Sequence, residues 1–198
     1  MLKWIQKKFA PVLYVQIWEG KLKITDIKTK QIYEDVPLLA LQSTKSGKKV
    51  IAAIGKEANE LTSPDIQVIN PFSHPRLLFS DFHVGEKILQ HAFSTFYKGK
   101  FLKLTPKTVM HPMEKTEGGL TMIEVRAFRE VALGAGSADS KIHVGCPLSI
   151  TQFDFDKVED IGGINPSQAR LKSSDDIGLW PLLGVALFIL AAVYLGLH

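Results

Sequence analysis

The sequence predicts an α/β domain, a mixed sheet flanked by helices with a small inserted subdomain, joined to one C-terminal transmembrane helix. Three observations lead there. Short runs alternating apolar and polar residues fill the first third of the chain. Two amphipathic segments of helical period follow, with strand-like runs around them. The segment 177–197, IGLWPLLGVALFILAAVYLGL, carries no charge.

The early runs are VLYVQIW, KLKITDI and QIYEDV, with a turn at Glu19-Gly20 between the first two. Alternation with period two reads as an antiparallel meander. PLLALQS and VIAAIG continue it around a charged turn at residues 45–49, and KEANEL reads as a short helix closed by Ser63-Pro64. IQVINPF is a short strand broken by Pro71 and Pro75. Residues 84–98 gather Val84, Ile88, Leu89, Ala92, Phe93, Phe96 and Tyr97 on one face, with Gly99 as the stop. A second helix begins at Thr121, with Glu124 three residues on as a capping box. Ile123, Ala127, Phe128 and Val131 are expected to face inward, and Gly134 and Gly136 to end it. KLTPKTVMHP before this helix and SKIHVG after it read as strands. Strand–helix–strand order makes neighbours parallel under a helical cover. Residues 151–176 are polar and rich in Gly, Pro, Asn and Ser, and read as a linker.

At a rise of ~1.5 Å per residue, the uncharged tail is roughly 32 Å long, enough for a bilayer core. Trp180 and Tyr194 lie near its ends, at headgroup level. Arg170 and Lys172 precede it and nothing basic follows. That asymmetry puts the polar part in the cytoplasm, as a single-pass inner-membrane protein. A buried core helix is the alternative, but one this long is rarely apolar all round. Residues 1–9, MLKWIQKKF, place Leu2, Ile5 and Phe9 on one helical face with Trp4 beside it and lysines elsewhere. A short basic helix of this kind lies in a membrane interface; a packed or unstructured arm is the other reading. A signal peptide fits poorly, because Pro11 and Gln16 interrupt the apolar run and no small-residue cleavage site follows.

Hydrophobic residues make up 45% of the chain and charged residues 22%, so the polar part is expected to fold. The net charge of +4 suits anionic lipid at least as well as nucleic acid, and no basic helix with interleaved aromatics argues for nucleic acid. The single cysteine, Cys146, excludes an internal disulfide. None of the six histidines has metal-ligand spacing with a carboxylate motif, so no metal and no cofactor is expected.

Several blocks in fixed order carry a family resemblance. They are MLKWIQKKF, PLLALQS, KKVIAAIGKEANEL, VINPFSHPRLLFSDFHVGEKILQHAF and TMIEVRAFREVALGAGSADSKIHV. From residue 1 to about Pro147 the chain resembles the N-terminal half of the MreB family of bacterial actin homologues. The resemblance implies half of an actin-like, ribonuclease H-like fold. Subdomain IA would span residues 11–150, with a IB-like insertion at about 37–70.

In that family two α/β halves clasp ATP and Mg²⁺, and the departures bear on this. The first phosphate turn, Asp-Leu-Gly-Thr in the family, corresponds to Gln16-Ile17-Trp18-Glu19. Glycine there lets the backbone approach phosphate, and Trp18 blocks that approach. The Glu-Glu-Pro motif that positions water corresponds to Gly145-Cys146-Pro147, leaving no base. Asp160-Ile161-Gly162-Gly163 echoes the second phosphate loop but lacks its third glycine and threonine, and reads as an ordinary turn. The resemblance therefore implies a non-catalytic, membrane-anchored MreB-like protein. Its partners would be membrane lipid and MreB or another cytoskeletal or envelope protein. A scaffold of a pilus or secretion assembly, or a residual ATP-binding relative, are the competing expectations.

Overall fold

The computed structural model describes residues 10–74, 79–99 and 104–162. The expected interfacial helix at residues 1–9 and the expected span at 177–197 lie outside them. With these go Leu2, Trp4, Ile5, Phe9, Trp180 and Tyr194. Among the described residues, no helix is long and apolar enough to cross a membrane.

A five-stranded mixed sheet runs in the order β3-β2-β1-β7-β8. Its strands are β1 (Val12–Ile17), β2 (Leu22–Asp26), β3 (Ile32–Asp35), β7 (Lys107–Pro112) and β8 (Asp139–Ile142). β1–β2 and β2–β3 are antiparallel, whereas β1–β7 and β7–β8 are parallel. Alternation along β1 sorts its side chains onto two faces. Leu13, Val15 and Ile17 enter a core shared with Ile88, Leu89, Phe128 and Val131. Tyr14 points the other way, into a smaller cluster with Val109 and Phe155.

Two helices cover the first face. α2 (Phe82–Thr95) is capped by Asp81, whose carboxylate accepts from the Val84 N–H at 3.0 Å. Its buried face is Val84, Ile88, Leu89, Ala92 and Phe93, as its spacing implies. α3 (Met122–Gly134) starts with the expected capping box between Thr121 and Glu124. Its inward face differs from the sequence reading. Ile123 is 81% exposed, and Val125, Phe128, Val131 and Ala132 are buried. The capping box turns Glu124 inward, which rotates its neighbour Ile123 out to solvent.

The second sheet has the order β5-β4-β6, with β4 (Leu39–Ser43), β5 (Lys49–Ile54) and β6 (Ile66–Ile69). Short helix α1 (Lys56–Glu60) packs on it through buried Ala58. Leu39 belongs to the main core, so this small sheet is rooted in the larger one.

The segment expected to begin a linker does not behave as one up to Gly162. Residues 155–157 form a 3-10 turn with Phe155 only 7% exposed. Lys107 and Lys141 lie over the Phe155 ring at 4.6 and 5.1 Å, a cation–π arrangement. Lys141 also donates to the Val158 carbonyl at 2.9 Å. Beyond it, the Ile161 N–H donates to the Ile142 carbonyl at 3.0 Å, covering the free edge of β8. Apolar anchors here are sparse, Phe153, Phe155 and Val158 among polar residues, and they pack against the second face of the sheet.

Gly55 joins β5 to α1 at φ +80°, and a Cβ there would lie 2.0 Å from the Asp35 carboxylate. That carboxylate is already committed to the Val36 and Lys56 amides. Gly55→Ala therefore combines backbone strain with the displacement of a cap. It should destabilise the chain by about 2–4 kcal/mol in thermal or urea melting. A loss below about 0.5 kcal/mol would contradict this.

Candidate functional site

In open sheets with parallel strands, ligands bind beyond the carboxyl ends of those strands. Here that edge is formed where β1, β7 and β8 end, by residues 18–21, 113–115 and 143–147. The 18–21 turn is tight, because the Trp18 N–H donates to the Lys21 carbonyl at 2.8 Å. The Lys21 ammonium sits 4.2 Å from the Trp18 ring centre.

The turn is tied down by groups from distant parts of the chain. The Glu19 N–H donates to the Glu114 carboxylate at 2.9 Å. The Glu19 carboxylate pairs with the Lys115 ammonium at 2.8 Å, and Lys115 also donates to the His74 carbonyl at 2.7 Å. The Glu19 carbonyl accepts from the Asn70 amide at 2.8 Å, linking the turn to the end of the small sheet. The Gln16 side-chain amide reaches the Met113 sulfur at 3.8 Å. A backbone N–H at such a turn is the kind of donor that meets a phosphate. Here a carboxylate of the same chain already holds it. Glu19 and Glu114 are balanced on this edge by Lys21 and Lys115, and both carboxylates are engaged within the chain.

The other flank is a buried hydrogen-bond chain. His111 on β7 is fully buried. Its Nε2 lies 3.1 Å from the Gly145 carbonyl, and its Nδ1 meets the Tyr14 hydroxyl at 2.5 Å. A carbonyl only accepts, so Nε2 carries the proton and Nδ1 accepts from Tyr14. Tyr14 in turn accepts from the Leu148 N–H at 3.1 Å. The chain thereby pins the loop at Gly145, where φ is +120°. His143 stacks edge-on against His111, with ring centres 4.7 Å apart, and bonds the Cys146 carbonyl at 3.1 Å. Burial, aided by His143 and opposed by the Gly145 bond, pushes the His111 pKa down to about 4. Burial likewise raises Tyr14. Cys146 is exposed.

Asp160 has a structural task. Its carboxylate takes both oxygens to Arg129 Nη2, at 2.8 and 2.7 Å, and also accepts from the Ile142 and Gly162 amides. Gly162 is held so close that a Cβ would meet Arg129 at 2.5 Å. Among the described residues, no group of three or more His, Cys, Asp or Glu is placed to hold a metal ion.

Of the positions singled out by sequence, Trp18 and Glu19 lie together on the edge, and Gln16 sits beneath them. Gly145 and Cys146 form the neighbouring loop. Sequence reasoning missed Glu114, Lys115, Tyr14 and His111. Their partners lie between 34 and 134 residues away and carry no local pattern.

The fold is that of an actin-like lobe. MreB5 of Spiroplasma citri bound to AMPPNP superposes with a TM-score of 0.54 at 19% identity, over 69% of this chain and 39% of that one. A non-polymerising mutant of MamK bound to AMPPNP gives 0.50 at 10% identity, over 68% and 41%. Sequence comparison goes further, and the chain is homologous to the cell shape-determining protein MreB. It is 30% identical to that of Haemophilus influenzae over 149 residues, 69% of this chain and 41% of the relative. It is 28% identical to that of Escherichia coli over 176 residues, 82% and 48%. The chain thus spans less than half the length of these relatives. No protein-family model matches it.

The buried histidine sets a pH dependence. In the unfolded chain His111 titrates near 6.5, in the folded one near 4. Between these values the unfolded state holds a proton the folded state lacks, so stability falls as pH drops from 6.5 toward 4. The loss reaches about 3 kcal/mol. His111→Gln should shrink the difference in melting temperature between pH 7 and pH 4.5. An unchanged difference would show that His111 does not carry it.

Proposed function

We propose that this chain is a non-catalytic, membrane-anchored relative of MreB that works through protein–protein contact at the cytoplasmic face of the inner membrane, in the control of cell shape or envelope organisation. One observation carries the non-catalytic part. The Glu19 amide, at the turn where an actin-like lobe would meet phosphate, is bonded to the Glu114 carboxylate. A polyphosphate would have to displace that carboxylate and settle beside the Glu19 side chain. Trp18 adds bulk at the same turn. On the neighbouring loop, Gly145-Cys146-Pro147 offers no carboxylate to orient water. Homology to MreB supports the cytoskeletal setting. The uncharged stretch 177–197 supports the anchor.

Such a protein would bind by area and shape, with no nucleotide cycle to release it. The test uses the full chain, affinity-tagged, in cells that make MreB, with chemical crosslinking before membrane isolation. MreB should be recovered with it to the same extent with and without ATP depletion. The chain should stay in the membrane pellet after alkaline carbonate washing, and deletion of residues 177–197 should release it. Absence of MreB from the crosslinked material would overturn the assignment of partner. Release of the intact chain by carbonate would overturn the anchor.

A further inference from the structure

The face of the main sheet turned away from α2 and α3 is covered in part by residues 148–158. Beside them, at the amino end of β1, lies a groove of about 390 Å³. Sites that bury a ligand typically enclose about 300–1,000 Å³. Its apolar lining is Val12, Ile27 and Phe153, each half-buried, together with Phe155. Apolar surface left in water favours a cover. The rim is polar, with Lys28 and Lys107 set among Asp154 and Asp156. Lys107 pairs with Asp156 at 3.7 Å and Asp154 with Lys157 at 3.5 Å. The rim therefore carries little net charge, and the groove selects an apolar occupant.

One wall of this groove is Ala10, the residue to which segment 1–9 is joined. The backbone there is fixed. The Lys107 N–H donates to the Pro11 carbonyl and the Ile27 N–H to the Val12 carbonyl, both at 2.9 Å. Ala10 precedes proline, which disfavours a helical conformation, so a helix in MLKWIQKKF ends at Phe9. The Phe9 Cα stands ~3.8 Å from that of Ala10, at the rim. Ile5 lies one helical turn back, about 6 Å along the axis, and Leu2 a turn beyond it. The apolar face of the segment is thus within reach of the groove, with Lys3, Lys7 and Lys8 left in water. A membrane interface takes the same face. The lysines favour an anionic bilayer, whereas the balanced rim offers them little.

We propose that this groove is the seat of residues 1–9 of the same chain, with Phe9 and Ile5 inserted beside Phe153, and that anionic lipid draws the segment out. The two states share one apolar face, so each excludes the other. Lipid that binds only the released state shifts the population toward it. Seated, the segment completes the cover over the second face of the sheet. Released, it lies in the interface and leaves the groove open. The switch needs no protein partner, so it stands apart from the assignment of MreB as partner.

The test is disulfide trapping within the full chain, with Cys146→Ser as the background. The chain is reconstituted in vesicles of phosphatidylcholine, alone or with phosphatidylglycerol added. Gln6→Cys, at the margin of the apolar face, is combined with Lys28→Cys or Asp154→Cys on the rim. In phosphatidylcholine at least one of these pairs should close on mild oxidation. Gln6→Cys with Ile123→Cys, on α3 across the sheet, should give at least about fivefold less, because the bond forms only where the two Cα atoms come within about 7 Å. Phe9→Ser should lower the rim yield by a similar factor, and so should phosphatidylglycerol. Lys28, Asp154 and Ile123 are exposed, and melting temperature serves as the control for folding. A rim yield no higher than that at Ile123, one indifferent to Phe9→Ser, or one equal in the two lipids would overturn the proposal.

Discussion

Strand β1 is the constraint on which the rest of the structure depends. It is bonded antiparallel to β2 on one side and parallel to β7 on the other. Both of its faces are covered, and four of its six residues are buried. Burial of each large apolar side chain there contributes about 1.5–3 kcal/mol. A slip of one residue would exchange the two faces, moving Leu13, Val15 and Ile17 away from the helices. The same register sets Tyr14 opposite Val109 and Gln16 opposite His111. It therefore delivers the 18–21 turn to the carboxyl edge of the sheet and aligns Tyr14 with the His111 ring.

What the sheet delivers, the loops then occupy. The carboxyl edge of a parallel sheet is where an open α/β fold meets its ligand, and here the chain meets itself. Glu114 takes the amide, Lys115 takes the Glu19 carboxylate, and Asn70 takes the carbonyl. On the neighbouring loop, His111 and Tyr14 satisfy Gly145 and Leu148 from below. These bonds give the edge a fixed shape.

The local part of this architecture was legible in the sequence. Alternation in VLYVQIW and KLKITDI marked the central hairpin, and the Thr121–Glu124 spacing marked a helix start to the residue. The 3.6-residue period of the α2 face was clear because Val84, Ile88, Leu89, Ala92 and Phe93 repeat it. Ile123 misled because a capping box sets helix rotation by hydrogen bonds, which hydropathy does not record. Residues 151–162 misled because three apolar side chains among polar ones hold them, with an Arg129–Asp160 pair between segments 31 residues apart. The site was half legible. Losing the acid at Gln16 and the glycine at Trp18 is visible in one dimension. The closure by Glu114, Lys115 and His111 exists only once β1 and β7 lie side by side.

The measurement that bears hardest on a closed carboxyl edge is calorimetric titration of the full chain, in detergent, with a non-hydrolysable ATP analogue and magnesium. The account expects no saturable binding up to about 1 mM analogue, a concentration at which affinity weaker than about −4 kcal/mol goes undetected. Saturable, magnesium-dependent binding in the micromolar range, weakened when Glu19 or Trp18 is changed, would contradict it.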